Sequence, residues 1–178
     1  LFEKACQMNQ FVGLEHMKKA EKDLSPEDMK KSDAQGFYKG VFSDDVKQMI
    51  INGQIGSFLH VIKAEEANYL QRLANKSKLK IPLLIGIDAI HGNALYRGAT
   101  VYPSPITIAS TWDEDNSYDV GVQTAFEMRS TGSHWAFTPN VDVMRDARWG
   151  RVGETFGEDP YLVTQMGIAM INGLQQQD

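Results

Sequence analysis

Ile81-Pro-Leu-Leu-Ile-Gly-Ile-Asp88-Ala-Ile-His-Gly92 is the stretch on which the fold turns. Its unbroken apolar run, opened by Ile-Pro and closed by a charge, reads as a strand over residues 81–87 covered on both faces, as strands of a parallel sheet are. Asp88 then emerges at the C-terminal lip of that strand. In parallel α/β architectures this is the edge that binds ligands.

Working outward, the same scheme recurs. Upstream, residues 44–52 read as a helix and Ile-Gly-Ser-Phe-Leu-His-Val (55–61) as a short buried strand. Residues 64–75 carry Ala64, Ala67, Leu70, Leu73 and Ala74 at close to helical spacing, the pattern of a helix laid on a sheet by one face. Downstream, Thr111 and Glu114 have capping-box spacing with Asp113 as a competing N-cap, and Thr131-Gly132 offers a stop about five turns later. Trp112 falls at that helix start. Residues 134–138 supply a further strand with Trp135 in the core, and Asp159-Pro160 opens a last helix to about residue 174, aspartate as N-cap and proline at its first position. At the other end residues 2–11 read as a helix, and the lysine-rich 18–39 as a polar excursion between helices.

Strands alternating with helices define an α/β chain with a parallel sheet. About three βα units are visible, against the eight of a closed (β/α)8 barrel. Residues 1–178 are therefore expected to be one incomplete, N-terminal portion of a TIM barrel domain, with N-terminal helices in front and the remainder of that barrel as an obligatory partner.

Composition narrows the chemistry. With 42% hydrophobic and 23% charged residues the chain is ordinary globular material. A net charge of −5 argues against a nucleic-acid partner, because phosphate neutralisation needs clustered cations and the densest lysine run, residues 18–31, is interleaved with Glu and Asp as on a solvated face. No apolar run approaches the roughly 20 residues that cross a bilayer, so no membrane partner is expected. Cys6 has no second cysteine to pair with and reads as a buried core thiol. His60 and His91 follow strand-like runs, yet no His-x-His, His-Glu-x-x-His or Cys-x-x-Cys spacing accompanies them, and neither a metal nor another cofactor is expected. A Gly-x-Ser-x-Gly elbow and a phosphate-cradling Gly-rich loop are likewise missing from the sequence.

Two clusters remain as candidates. An ionised Asp88 can accept hydrogen bonds from two neighbouring hydroxyls, as vicinal sugar hydroxyls require; it can equally be a turn or N-cap aspartate. The loop over 139–158 is long for a βα connection, and long loops at strand C-termini are where barrels keep their chemistry. It contains Arg145-Asp-Ala-Arg-Trp-Gly-Arg151. Among Arg145, Asp146, Arg148 and Arg151, mutual pairing explains most of the charges, and one guanidinium fork is left to face a ligand. Trp149 either stacks on a sugar face or wedges the loop. Glu154, Glu158 and Asp159 form an acidic group, but capping of the helix opened by Pro160 and its dipole account for them.

Taken in order, Gly86 to Gly92, Gly98-Ala-Thr-Val-Tyr-Pro103, Glu127-Met-Arg-Ser-Thr-Gly132 and the run from Phe137 to Leu162 resemble the N-terminal barrel of family 3 glycoside hydrolases, the β-glucosidase family, over about residues 40–178. The resemblance implies hydrolysis of terminal non-reducing β-D-glucosyl residues by a retaining double displacement. It implies β-glucoside oligosaccharides or aryl and alkyl β-glucosides as partners, and a periplasmic or extracellular location. It further implies that Asp88 and Arg151 hold sugar hydroxyls in the −1 subsite. Arg145, Asp146, Arg148, Trp149 and His91 then form the supporting loops, and no catalytic residue lies in this chain, the nucleophile and acid/base being expected downstream. Ala147 departs from the resemblance, since proline is common there. Alternatives are a non-catalytic sugar-binding fragment and a family 3 β-xylosidase or β-N-acetylglucosaminidase.

Overall fold

A computed structural model of the protein describes residues 10–23, 25, 27 and 43–176. In chain order these form β1 (Gln10–Val12), α1 (Leu14–Asp23), α2 (Ser43–Ile51), β2 (Ser57–Leu59), α3 (Ala64–Ala74), β3 (Leu84–Ile87), α4 (Pro105–Ala109), α5 (Glu114–Thr131), β4 (Trp135–Ala136), a 3-10 turn (Val152–Glu154) and α6 (Pro160–Gln175). The strands make one sheet in the order β1-β2-β3-β4. β1, β2 and β3 pair in parallel, with Phe11 opposite Phe58 and Phe58 opposite Ile85. Spatial order that follows chain order is what successive helical crossovers of one hand produce, as in a (β/α)8 barrel.

The sheet holds one strand more than the sequence predicts. Where a helix was expected over residues 2–11, Gln10 and Phe11 belong to β1, while residues 2–9, Cys6 among them, lie outside the described residues. A three-residue strand has little propensity of its own. It is made by pairing with β2 and by the Phe11–Phe58 contact, ring centroids 6.5 Å apart. The expected polar excursion also begins later than residue 18, because α1 buries Leu14 and Met17 while Lys18, Lys19 and Lys22 stay exposed.

The chain divides into two compact units. The first comprises residues 1–87 and 131–135, and its core includes Phe11, Met17, Ile50, Phe58, Leu70 and Ile85. α3 buries Ala67, Leu70, Leu73 and Ala74 as its spacing requires, and Glu66 with them. From the same helix Gln71 accepts from Leu83 N at 3.0 Å and donates to Leu83 O at 2.8 Å, so a side-chain amide stands in for a ladder rung just ahead of β3. Cover on both faces of the 81–87 run fails at Pro82 and Leu84, both exposed, Leu84 at 48%. Glu66 reaches across to α1 and accepts from Glu15 N at 3.1 Å, satisfying one of the free N–H groups of that helix start.

The second unit comprises residues 88–130 and 136–178. Here α5 and α6 cross in backbone contact. A Cβ on Gly121 would stand 2.6 Å from Met170 O, and one on Gly173 would stand 2.2 Å from Tyr118 O. Beside the crossing, the buried Ser117 hydroxyl donates to Met166 O at 2.9 Å. Phe156, Val163, Met166 and Met170 pack there with Ala109. Asp113, rather than Thr111, caps α5 by accepting from Asp115 N at 3.1 Å. Thr111 is used one turn earlier, its hydroxyl donating to Ile108 O at 2.7 Å beyond the short helix α4, which the sequence reading lacked. Asp159 caps α6 through Leu162 N at 2.7 Å, as expected. Trp135, expected in the core, is 40% exposed, while Trp112 lies at the start of α5 as expected and is 72% exposed.

Candidate active site

Asp88 is the first residue beyond β3 and is half-buried, as its place in the sequence predicts. The backbone turns sharply after it. Ala89, buried at 7% exposure, has φ of 48°, a left-handed conformation that a residue with a Cβ holds only where its surroundings enforce it. The turn is braced by a later part of the same loop: Tyr102 N donates to His91 O at 3.0 Å, and His91 Nδ1 lies 3.0 Å from Tyr102 O. A carbonyl only accepts, so Nδ1 carries the hydrogen in this contact. Gly92, at φ 72°, lies beneath the Tyr102 ring, where a Cβ would come within 2.6 Å of Cδ2. Glu127 on α5 fixes this segment from below, accepting from Thr100 N at 3.1 and 3.2 Å and from the Thr100 hydroxyl at 2.8 Å. Loss of solvent, then the Glu127 charge, push the Tyr102 phenol up from its ordinary value.

The loop over 139–158 is closed at its base. Asn140 and Thr155 form a parallel bridge, the Thr155 hydroxyl donates to Asp142 O, and Met144 N donates to Gly157 O at 2.9 Å. Within it the backbone winds through Trp149 N to Asp146 O at 3.0 Å and Glu154 N to Arg151 O at 3.0 Å. Asp146 and Arg148 pair at the exposed tip, Arg148 donating through Nε at 2.9 Å and Nη2 at 2.5 Å. The arginine holds the Asp146 carboxyl below the usual carboxylate range. With side chains 91% and 49% exposed, this pair is a solvent-screened loop clasp that adds little to stability.

Arg151 is also paired, to a residue the sequence reading had set aside. Its Nε and Nη2 donate to Glu154 Oε2 at 2.8 and 2.6 Å, and Asn140 Nδ2 donates to the same oxygen at 3.0 Å. Those hydrogen bonds lower the Glu154 pKa and raise that of Arg151, and the Asp142 and Asp88 charges support the guanidinium further. His91 acts in the same direction on Glu154.

Asp88, His91 and Arg151, expected from sequence, thus share one electrostatic neighbourhood with Asp142, Asn140 and Glu154. Asp146 and Arg148 belong to the loop tip. Arg145 is exposed beside them without a share in the Asp146 carboxylate, and Trp149 is half-buried. Glu154 had been assigned to capping of the last helix, a task Asp159 performs alone in the first turn; its i, i+3 spacing from Arg151 was the signal that pointed elsewhere. A carboxylate acceptor and a planar donor fork within one field match the paired hydroxyls of a neutral sugar. Among the described residues no group of three His, Cys, Asp or Glu is placed to hold a metal ion, and no helix is long and apolar enough to cross a membrane.

Comparison with known proteins shows the family. The profile described as "Glycosyl hydrolase family 3 N terminal domain" matches residues 3–178. A periplasmic β-glucosidase of Salmonella typhimurium is 36% identical over 131 residues, 73% of this chain and 16% of that protein. A β-xylosidase of Formosa agariphila is 43% identical over 114 residues, 61% of this chain and 16% of that protein. The crystal structure of a β-glucosidase from Listeria innocua matches with a TM-score of 0.75 and 30% identity, covering 99% of this chain and 22% of that one. The chain therefore spans a small part of its relatives' length. With a profile match that runs almost from end to end, the chain belongs to glycosyl hydrolase family 3 and lies within its N-terminal domain.

Proposed function

We propose that the protein carrying this chain removes terminal non-reducing β-D-glucosyl residues from β-glucoside oligosaccharides or from aryl and alkyl β-glucosides, and that this chain builds part of the −1 subsite. The observation that carries the reading is the shared field of Asp88 and Arg151, an acceptor at a strand lip whose charge reaches a donor fork on the long loop. β-Glucosidase relatives support it, among them the Listeria innocua enzyme solved with laminaribiose and with glucose. In the reaction a carboxylate attacks the anomeric carbon while a carboxylic acid protonates the leaving oxygen, and water then releases the covalent glycosyl-enzyme with the acid's conjugate acting as base. Asp88 accepts from sugar hydroxyls and Arg151 donates to them, so both hold the ring against the nucleophile; the nucleophile and the acid/base come from the remainder of the protein. Periplasmic relatives support a periplasmic or extracellular location.

The β-xylosidase of Formosa agariphila, at 43% identity, favours a second reading in which the sugar lacks the hydroxymethyl arm. Hydrolysis of p-nitrophenyl β-glucoside and β-xyloside by the full-length enzyme separates the two. Glucoside preferred is the expected outcome; xyloside preferred moves the assignment, and sugar binding without turnover of either makes the protein a non-catalytic binder. Asp88→Asn replaces charge-assisted hydrogen bonds worth about 1.5–3 kcal/mol each, and is expected to lower kcat/KM by about 10- to 100-fold with the unfolding midpoint unchanged. Parental kinetics in a folded variant would make Asp88 a bystander.

A further inference from the structure

We infer that Glu154, backed by Asn140, is a positioning residue that sets the direction in which Arg151 presents its guanidinium to the sugar. The inference rests on Arg151 as a sugar contact. A guanidinium is planar, so fixing one edge fixes its plane and the direction of every other N–H. Glu154 holds the Nε/Nη2 edge through a single oxygen, at 2.8 and 2.6 Å, and Nη1 takes part in neither contact. The Arg151 side chain is 59% exposed, and without this hold it would turn among rotamers as long exposed arginines do.

The carboxylate is itself fixed. Asn140 Nδ2 donates to the same Oε2 at 3.0 Å, the Asn140 backbone is bridged to Thr155, and Thr155, fully buried, adjoins Glu154. The aim of Arg151 is thereby tied to the base of the loop, not to its tip. The Asp146–Arg148 pair shows the contrast: it has the same chemistry, lies at the exposed tip and draws on no third side chain in the contacts that hold it. Oε2, with three N–H donors converging on it, has no lone pair left for a sugar hydroxyl, so a direct contact of Glu154 with the sugar would have to run through Oε1, the alternative that the double-mutant cycle separates.

The test is a double-mutant cycle in the full-length enzyme: Glu154→Gln, Arg151→Ala and both together. It is read as kcat and KM on whichever of the two aryl glycosides the parent turns over, and as glucose affinity by calorimetry. Glu154→Gln alone is expected to lower kcat/KM by about 10- to 100-fold, the effect of a misplaced contact group, and by less than about 2-fold once Arg151 is alanine. An equal loss in both backgrounds overturns the inference, because Glu154 then acts on the sugar or on the fold by itself. No loss in the Arg151 background of the parent overturns it as well. Arg151→Ala with parental kinetics and glucose affinity removes the sugar contact itself, a failure visible in that single variant. Should Glu154→Gln not fold, Asn140→Ala probes the same oxygen from the other side, with a smaller loss that again disappears when Arg151 is alanine.

Discussion

Gly173→Ala puts the crossing of α5 and α6 to a direct test. In a helix interior alanine is favoured over glycine by about 1 kcal/mol, so propensity alone predicts stabilisation. The added Cβ, however, would lie 2.2 Å from Tyr118 O and 3.0 Å from Val122 N. Both are backbone atoms inside α5 and cannot turn aside as a side chain would. Contact at ordinary van der Waals distance requires the helices to part by about 1 Å, an overpacking cost of about 1–3 kcal/mol or more. Parting also strains the buried bond from Ser117 to Met166 O, whose loss would leave buried polar groups unpaired at about 1–3 kcal/mol. The clash therefore outweighs propensity, for a net destabilisation of about 2–4 kcal/mol. Gly153→Ala is the control, with nothing within 4 Å of its added Cβ. Urea unfolding of the two variants and the parent, in the full-length enzyme, measures the difference. Gly173→Ala within 0.5 kcal/mol of the parent, at about the size of a neutral surface change, would refute backbone contact at this crossing.

Other expectations follow from single contacts. Arg151→Lys keeps the charge and loses the fork, so kcat/KM is expected to fall markedly, whereas Arg148→Lys is expected to change stability little and leave kinetics intact; reversed phenotypes in the same assays would undo this division of the loop. Burial raises the Glu66 pKa above its ordinary 4.5, against the hydrogen bonds it receives at the start of α1, so its contribution to stability is full below that value and is lost as pH rises through the folded-state pKa. Glu66→Gln is expected to lack that loss, gaining on the parent as pH rises above 4.5; urea midpoints that stay parallel as pH rises would show that burial does not dominate. The 178 residues made alone are expected neither to hydrolyse p-nitrophenyl β-glucoside nor to run as a stable monomer, since β1 and β4 end the sheet order and retaining chemistry needs two carboxyl groups about 5–5.5 Å apart. A monodisperse, cooperatively unfolding and active chain would contradict this.

Legibility followed the range of the interaction. The cap at Asp159-Pro160, the stop at Gly132 and the one-sided apolar spacing of α3 are local, and each was readable to within a residue or two. β1 was not, because three residues become a strand only through a partner 47 positions away, Gln10 against Ser57. Glu66 was equally hidden: it serves a helix start 51 residues earlier, and no spacing announces that. At the site Asp88 could be placed because the strand before it ends in sequence. The role of Glu154 was obscured because a carboxylate near Pro160 has a sufficient local explanation in capping, although only Asp159 supplies the cap.

The closed base of the long loop separates two properties that usually change together. Asn140, Thr155 and the carbonyl of Asp142 hold the two ends in place through contacts that the Asp146–Arg148 tip does not share. Residues at the tip, 145–149, can thus be exchanged as a cassette, with the frame and the Arg151–Glu154–Asn140 contacts unaltered. In such an arrangement the tip can drift at little cost to folding, while Asp88 at the strand exit and Arg151, tied through Glu154 to Asn140, keep their places.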